Sequence, residues 1–234
     1  MSNPISPDDV LVYGQIALDN VIRLPALPGP QAAVAVNADY YIVGGAALMT
    51  ALPLAEWGHP VRVVGNAVGE DPYADFIRSE LERYPTLSGA GITTDPRVRT
   101  PFTRRLIAPD GQTLSLAYWQ ERSPLPPLTE DDLAGVRLLS LNGPGEAAQV
   151  AAATLAVEQG IPVITSDIAD PEDPLVPLST WIVVSQKWLQ RAQSMEQGSE
   201  RDFLQRVHAH NPAATLVMTR GPETTRRLAP GGVL

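Results

Sequence analysis

Gly44 and Gly45 end the apolar run Tyr40–Val43, and the alanine-rich stretch from Ala46 begins at once. A strand-to-helix turn without a Cβ lets backbone approach a ligand closely. The helix behind it turns free amides and the positive end of its dipole toward the same spot. A second glycine turn, Gly143-Pro144-Gly145-Glu146-Ala147-Ala148, follows the run Leu138–Leu141 and satisfies the Gly-x-Gly-x-x-Ala pattern of dinucleotide-binding turns. Asp167 ends the next strand, where a ribose-binding acid belongs. Against a nicotinamide-dependent oxidoreductase, Pro144 removes an amide and Glu146 sets a negative charge at the helix start. His208 and His210 are two apart and form no helical metal pair; His59, between Gly58 and Pro60, reads as a surface turn. Arg104-Arg105 and Arg226-Arg227 read as solvated strand faces. With no cysteine, thiolate nucleophiles, disulfides and Cys-based metal sites are excluded. There is no Walker A pattern, and no serine stands with a histidine in a triad-like arrangement.

These residues need elements to hold them. The 234 residues, 44% hydrophobic, suffice for one large α/β domain or two small ones. A net charge of -9 argues against nucleic-acid binding, which needs a basic face. No run is apolar enough to cross a membrane, and the start, Met1–Asp9, lacks a signal-peptide pattern, which points to the cytoplasm.

Val10–Gly14 reads as a buried strand, Val21–Pro25 as extended, and Gln31–Val43 as β-patterned. A helix from the glycine pair to Ala55 closes at Gly58, with Pro53 inside it at a cost of about 3 kcal/mol. Val61–Gly65 is a strand. Asp71 then caps a helix with Pro72 at its first position, and Tyr73, Phe76, Ile77 and Leu81 on its packed face. Two β runs, Thr100–Ala108 and Thr113–Trp119, flank the hairpin signal Pro109–Gln112. Thr129 opens a short capped helix. Strands at Leu138–Leu141, Val163–Ser166, Trp181–Val184 and Thr215–Met218 then alternate with helical stretches at 146–159 and 186–208. This alternation predicts a parallel sheet covered on both faces, and the β-only pieces at 15–43 and 98–122 a separate small sheet. Ligands of open parallel sheets bind at the strands' carboxyl ends, here carrying Gly14, Gly44-Gly45 (if that strand joins the edge of the small sheet), Gly65, Asn142, Asp167, Ser185 and Thr219.

Together these stretches resemble the ribokinase, or PfkB, family of carbohydrate kinases. The resemblance rests on Gly14 with Asp19; Gly44-Gly45-Ala46-Ala47 running on to Gly58; Gly65-Asn66-Ala67-Val68-Gly69-Glu70-Asp71; Thr100 with the Asp110-Gly111 hairpin; and Thr219-Arg220-Gly221. It implies a single three-layer α/β/α domain over 1–234, Rossmann-like, with the small sheet as a lid. It implies an ATP- and Mg2+-dependent phosphotransferase acting on a sugar or nucleoside-like hydroxyl. Asp19, Gly44, Gly45, Met49 and Asn142 would then hold the acceptor, and Ser185, Thr219 and Gly221 the nucleotide. A homodimer through the lid would follow.

Three departures qualify that expectation. Met49 stands where the family places a sugar-binding Asn, and a thioether cannot donate to a hydroxyl. Ser185-Gln186-Lys187-Trp188 replaces the Asn-x-x-Glu that organises magnesium, so no metal ligand is assigned. The Gly-Ala-Gly-Asp signature, with its anion hole and catalytic Asp, is expected beyond Leu234, so no residue of the chain is assigned as the base. The expectation is a C-terminally truncated fold whose 234 residues alone are inactive or nearly so. A non-catalytic sugar- or nucleoside-binding pseudokinase is the alternative.

Overall fold

The computed structural model describes residues 9–119, 123–143, 145–191 and 200–231. Residues 1–8, the end of the expected lid range at 120–122, Pro144 of the dinucleotide pattern, part of the last helical stretch (192–199) and the closing 232–234 lie outside the described residues. Packing divides the chain into two compact units. One is built from Gln15–Leu125, the other from the segment up to Gly14 together with the chain from Pro126 onward.

Strand β1 (Asp9–Gly14) belongs to the latter unit and is buried along its whole length. The Gln15–Leu125 unit holds β2 (Ala17–Arg23), β3 (Ala38–Gly44), α1 (Ala46–Glu56), β4 (Val61–Gly65), α2 (Pro72–Leu81), β5 (Leu87–Gly91), β6 (Phe102–Ile107) and β7 (Thr113–Tyr118). Four of these strands form the separate small sheet expected from the sequence, in the order β3-β2-β6-β7. Residues 31–37, expected in the strand, lie outside it: β3 starts only at Ala38. β5 is an addition, pairing parallel with β4. Its sequence, Leu-Ser-Gly-Ala-Gly, has little β propensity. Gly91 is needed there because a Cβ would lie 2.6 Å from the Val63 carbonyl oxygen.

Helix α1 runs through Pro53, which lies on the exposed side, and the chain reverses at Gly58 with φ +84°. In α2 the cap is as expected: the Asp71 carboxylate accepts the amides of Tyr73 and Ala74, with Pro72 at the first position. Its buried face is narrower than the spacing suggested, comprising Ala74, Ile77 and Leu81. Tyr73 and Phe76 instead meet the small sheet's aromatics. Tyr73 stacks on Phe102 at 4.7 Å, and Tyr41 lies 6.2 Å from Phe76.

The other unit continues with α3 (Glu130–Leu133), β8 (Val136–Asn142), α4 (Ala147–Glu158), β9 (Val163–Ser166), β10 (Trp181–Ser185), α5 (Gln186–Arg191), α6 (Glu200–His210), β11 (Thr215–Arg220) and β12 (Glu223–Leu228). Strand order is β1-β8-β9-β10-β11-β12, parallel up to β11. β12, antiparallel and at the edge, lies beyond Thr215–Met218, the last strand of the expected series, in a segment where only Arg226-Arg227 read as a strand face. An edge strand needs few apolar side chains. No described helix is long and apolar enough to cross a membrane.

The turn before α1 is the most constrained point of the Gln15–Leu125 unit. Gly45 has φ +82°, and a Cβ there would lie 2.3 Å from the Gln15 carbonyl oxygen. Gly58 has a similar φ of +84° with open space around it. Gly58→Ala should therefore cost only the left-handed penalty, about 1–2 kcal/mol. Gly45→Ala should cost about 1–3 kcal/mol more through overpacking. Urea denaturation of both variants checks this, and equal losses would contradict it.

Candidate functional site

Antiparallel pairing sets Asp19 opposite Ile42 and Ala17 opposite Gly44. Side chains alternate across a strand, so Asp19 and the bare face of Gly44 share one side of the small sheet. Asp19 sits inside β2 as its third residue. A Cβ on Gly44 would lie 2.6 Å from the Asp19 carboxyl carbon. The glycine pair thus first makes room for the chain itself, Gly44 for the Asp19 carboxylate and Gly45 for the Gln15 backbone. Asp19, Gly44 and Gly45 are brought together. Met49, in the first turn of α1, is 58% exposed and offers only its thioether.

The Asp19 side chain is 5% exposed and its partner is a cation: Arg105 Nε donates to Oδ2 at 2.8 Å. Arg105 lies on β6, which runs parallel beside β2. On the opposite face Arg104 Nε donates to Asn20 Oδ1 at 3.0 Å, and Asn20 Nδ2 donates to the Asp39 carboxylate. Arg104 and Arg105 are therefore tied into the sheet, correcting their reading as solvated strand faces. The sequence hid this because the register of β2 against β6 joins residues far apart in the chain.

The Gly65–Asp71 stretch fastens this floor. Buried Asn66 accepts the Ile16 amide at 2.7 Å and donates to the Ile16 carbonyl at 3.2 Å. The Thr100 hydroxyl donates to Asp71 Oδ1 at 2.8 Å and accepts the Gly69 amide at 3.0 Å, while the Thr100 amide reaches Asp71 Oδ2 at 3.0 Å. Burial would raise the Asp71 pKa; the hydrogen bonds from Thr100, Ala74 and Tyr73 outweigh it and hold it below the usual range.

In the other unit, Asn142, Ser185 and Thr219 stand at or near the carboxyl ends of β8, β10 and β11. Asn142 donates to Ser166 Oγ at 2.7 Å, and its carbonyl accepts Gln149 Nε2 at 2.7 Å. Ser185 Oγ accepts the Trp188 amide at 3.0 Å. Ser185 pairs in register with Thr219, which is exposed. Gly221 has φ +59° and open space around it. Arg220 and Arg226 both reach Glu200, each at 3.2 Å, so Arg226 is also not a merely solvated residue. Asp167 has φ +62°, and burial raises its pKa. At the dinucleotide-like turn, the Gly145 amide donates to Asp173 Oδ2 at 2.9 Å, and a Cβ on Gly145 would lie 2.6 Å from Asp173 Oδ1. A carboxylate thus occupies the place a pyrophosphate would need, which counts against the oxidoreductase reading. Among the described residues no cluster of three or more His, Cys, Asp or Glu could hold a metal ion.

The arrangement belongs to the class of ribokinase-like α/β folds. A protein from Agrobacterium tumefaciens described as a ribokinase superposes with a TM-score of 0.79 at 23% identity, over 94% of this chain and 72% of that one. Ribokinase from Cryptococcus neoformans, solved with ADP, gives 0.73 at 17% identity over 96% and 76%. Ribokinase from Arabidopsis thaliana, solved with ribose and ATP, gives 0.73 at 16% over 95% and 75%. Comparison with curated proteins finds no match. Residues 7–228 match the pfkB family carbohydrate kinases, and the chain belongs to that family.

Asp71 gives a test of the floor. Because its folded pKa is lowered, its contribution is fully present above the ordinary aspartate value of about 3.9 and is lost as pH falls through the lower folded value. Asp71→Ala should cost about 1–2 kcal/mol at neutral pH, with the gap to wild type closing in acid. Urea titrations across pH would show this; a gap constant down to the acid limb would contradict it.

Proposed function

We propose that the chain is an ATP-dependent carbohydrate kinase, which transfers the γ-phosphoryl group of ATP to a hydroxyl of a sugar or related polyol. The observation that carries this is the buried Asp19 carboxylate, lodged against the bare carbon of Gly44 in a chain of the pfkB family. A carboxylate accepts from two neighbouring hydroxyls at once, and Gly44 and Gly45 keep the wall beside it low. Met49 completes the acceptor assignment within this unit. Lid closure over the acceptor excludes water, and positioning supplies much of the rate.

The nucleotide is assigned to Ser185, Thr219 and Gly221. The open, exposed turn at Gly221 fits a phosphate that approaches backbone closely. When bound, ATP supplies the phosphoryl group. Ser185–Trp188 has no carboxylate, so that stretch does not fit a protein-held magnesium ion, and no step is assigned to one. No described residue is assigned as the base. Leu114 and Leu116, 47% and 41% exposed on edge strand β7, support pairing of two lids in a homodimer. A cytoplasmic location accompanies this reading. Met49 and the Ser185–Trp188 stretch favour one alternative, a binding protein of the same fold without catalysis.

Ligand-induced stabilisation tests the assignment without requiring turnover. A polyol at 100 times its Kd should raise Tm by about 5–10 °C, and ATP should act separately. Asp19→Ala should abolish the polyol effect and leave that of ATP. No shift with any polyol or with ATP, or a polyol shift that survives Asp19→Ala, would overturn the assignment.

A further inference from the structure

The charge on Asp19's side of the lid sheet is unbalanced. Register aligns Asp19 with Ile42 and Thr103, Val21 with Tyr40 and Arg105, and Arg23 with Ala38 and Ile107. With alternating side chains, that face carries Asp19, Arg23 and Arg105, while β7 adds only Thr113, Ser115 and Ala117. Two guanidinium groups thus face one carboxylate, in a chain whose net charge is -9. The opposite face, with Asp39 and Arg104, is balanced. Arg23 Nε reaches the Tyr40 hydroxyl at 3.4 Å.

Arg105 is built differently from a residue that only neutralises a buried acid. Its side chain is 47% exposed while that of Asp19 is 5% exposed. Its contact with Asp19 is through Nε. A guanidinium carries five donors in a planar fork, so among the described residues both NH2 groups remain for a second acceptor. A neutral polyol reaching Asp19 must compete with a charge-assisted hydrogen bond already in place. An acceptor bearing its own anion turns that competitor into a ligand, since the fork pairs in bidentate fashion with a carboxylate or phosphate while Nε stays on Asp19.

We infer that Arg105 selects the acceptor, and that this acceptor is a polyol carrying an anionic group, either a carboxylate or a phosphate ester. Its hydroxyls go to Asp19 and its anion to Arg105. The inference rests on the kinase reading and narrows its substrate class.

Isothermal titration of the full chain with D-fructose, D-gluconate, D-fructose 6-phosphate and inorganic phosphate tests it. Gluconate or the phosphate ester should bind at least about 10-fold tighter than fructose, and which of them does so identifies the anion. Arg105→Gln should weaken that ligand by roughly 10- to 100-fold and leave fructose unchanged or tighter. Arg105→Lys keeps a cation beside Asp19, and so the fold, but loses the fork and should fall between. Fructose binding as tightly as both acids, or an Arg105→Gln variant that weakens all ligands alike, would overturn the inference and leave the kinase reading standing. Inorganic phosphate binding as tightly as the ester would remove the polyol from it. If no polyol binds, the assignment of Asp19 as acceptor site falls, and the inference with it.

Discussion

A carboxylate held almost out of solvent is the constraint on which the small sheet depends. Burying an unpaired charge is costly, so Asp19 requires both room and a partner. The room comes from the missing Cβ of Gly44 and the partner from Arg105. Each demand fixes a strand: β3 must pair with β2 so that Gly44 faces Asp19, and β6 must lie on the other side so that Arg105 reaches it. A slip of one residue against β6 would move the acid and its cation to opposite faces, and one against β3 would turn the bare side of Gly44 away from Asp19.

The same logic extends outward. Gly45 lets the chain leave β3 against the Gln15 carbonyl, and Asn66 holds the neighbouring Ile16 backbone on both its donor and its acceptor. Asp71 serves two masters, capping α2 and receiving Thr100 just before β6 begins. The motif residues of this unit therefore act mostly on one another. They form a frame that holds one buried carboxylate under one partly exposed guanidinium.

How much of this was legible in the sequence depended on how local the cause was. The Asp71–Pro72 cap, the Thr129 capping box, the hairpin at Asp110-Gly111 and the alternation of strands and helices from Val136 onward all arise from short-range rules, and all are present. β5 and β12 were missed because edge strands tolerate glycine and charge, which composition reads as turn or coil. Arg105 was misread for a different reason: its partner lies 86 positions away, and only strand register joins them. The glycine pair was recognised as bare backbone, but what fills the space could not be read from local pattern. Asp19 and Gln15 fill it from within the chain.

The most direct measurement is a crystal structure of the chain grown with a saturating polyol. The account predicts polyol oxygens within hydrogen-bonding distance of the Asp19 carboxylate, about 2.5–3.0 Å, over the Gly44 wall. A polyol bound elsewhere, with Asp19 still sealed beneath Arg105, would contradict it.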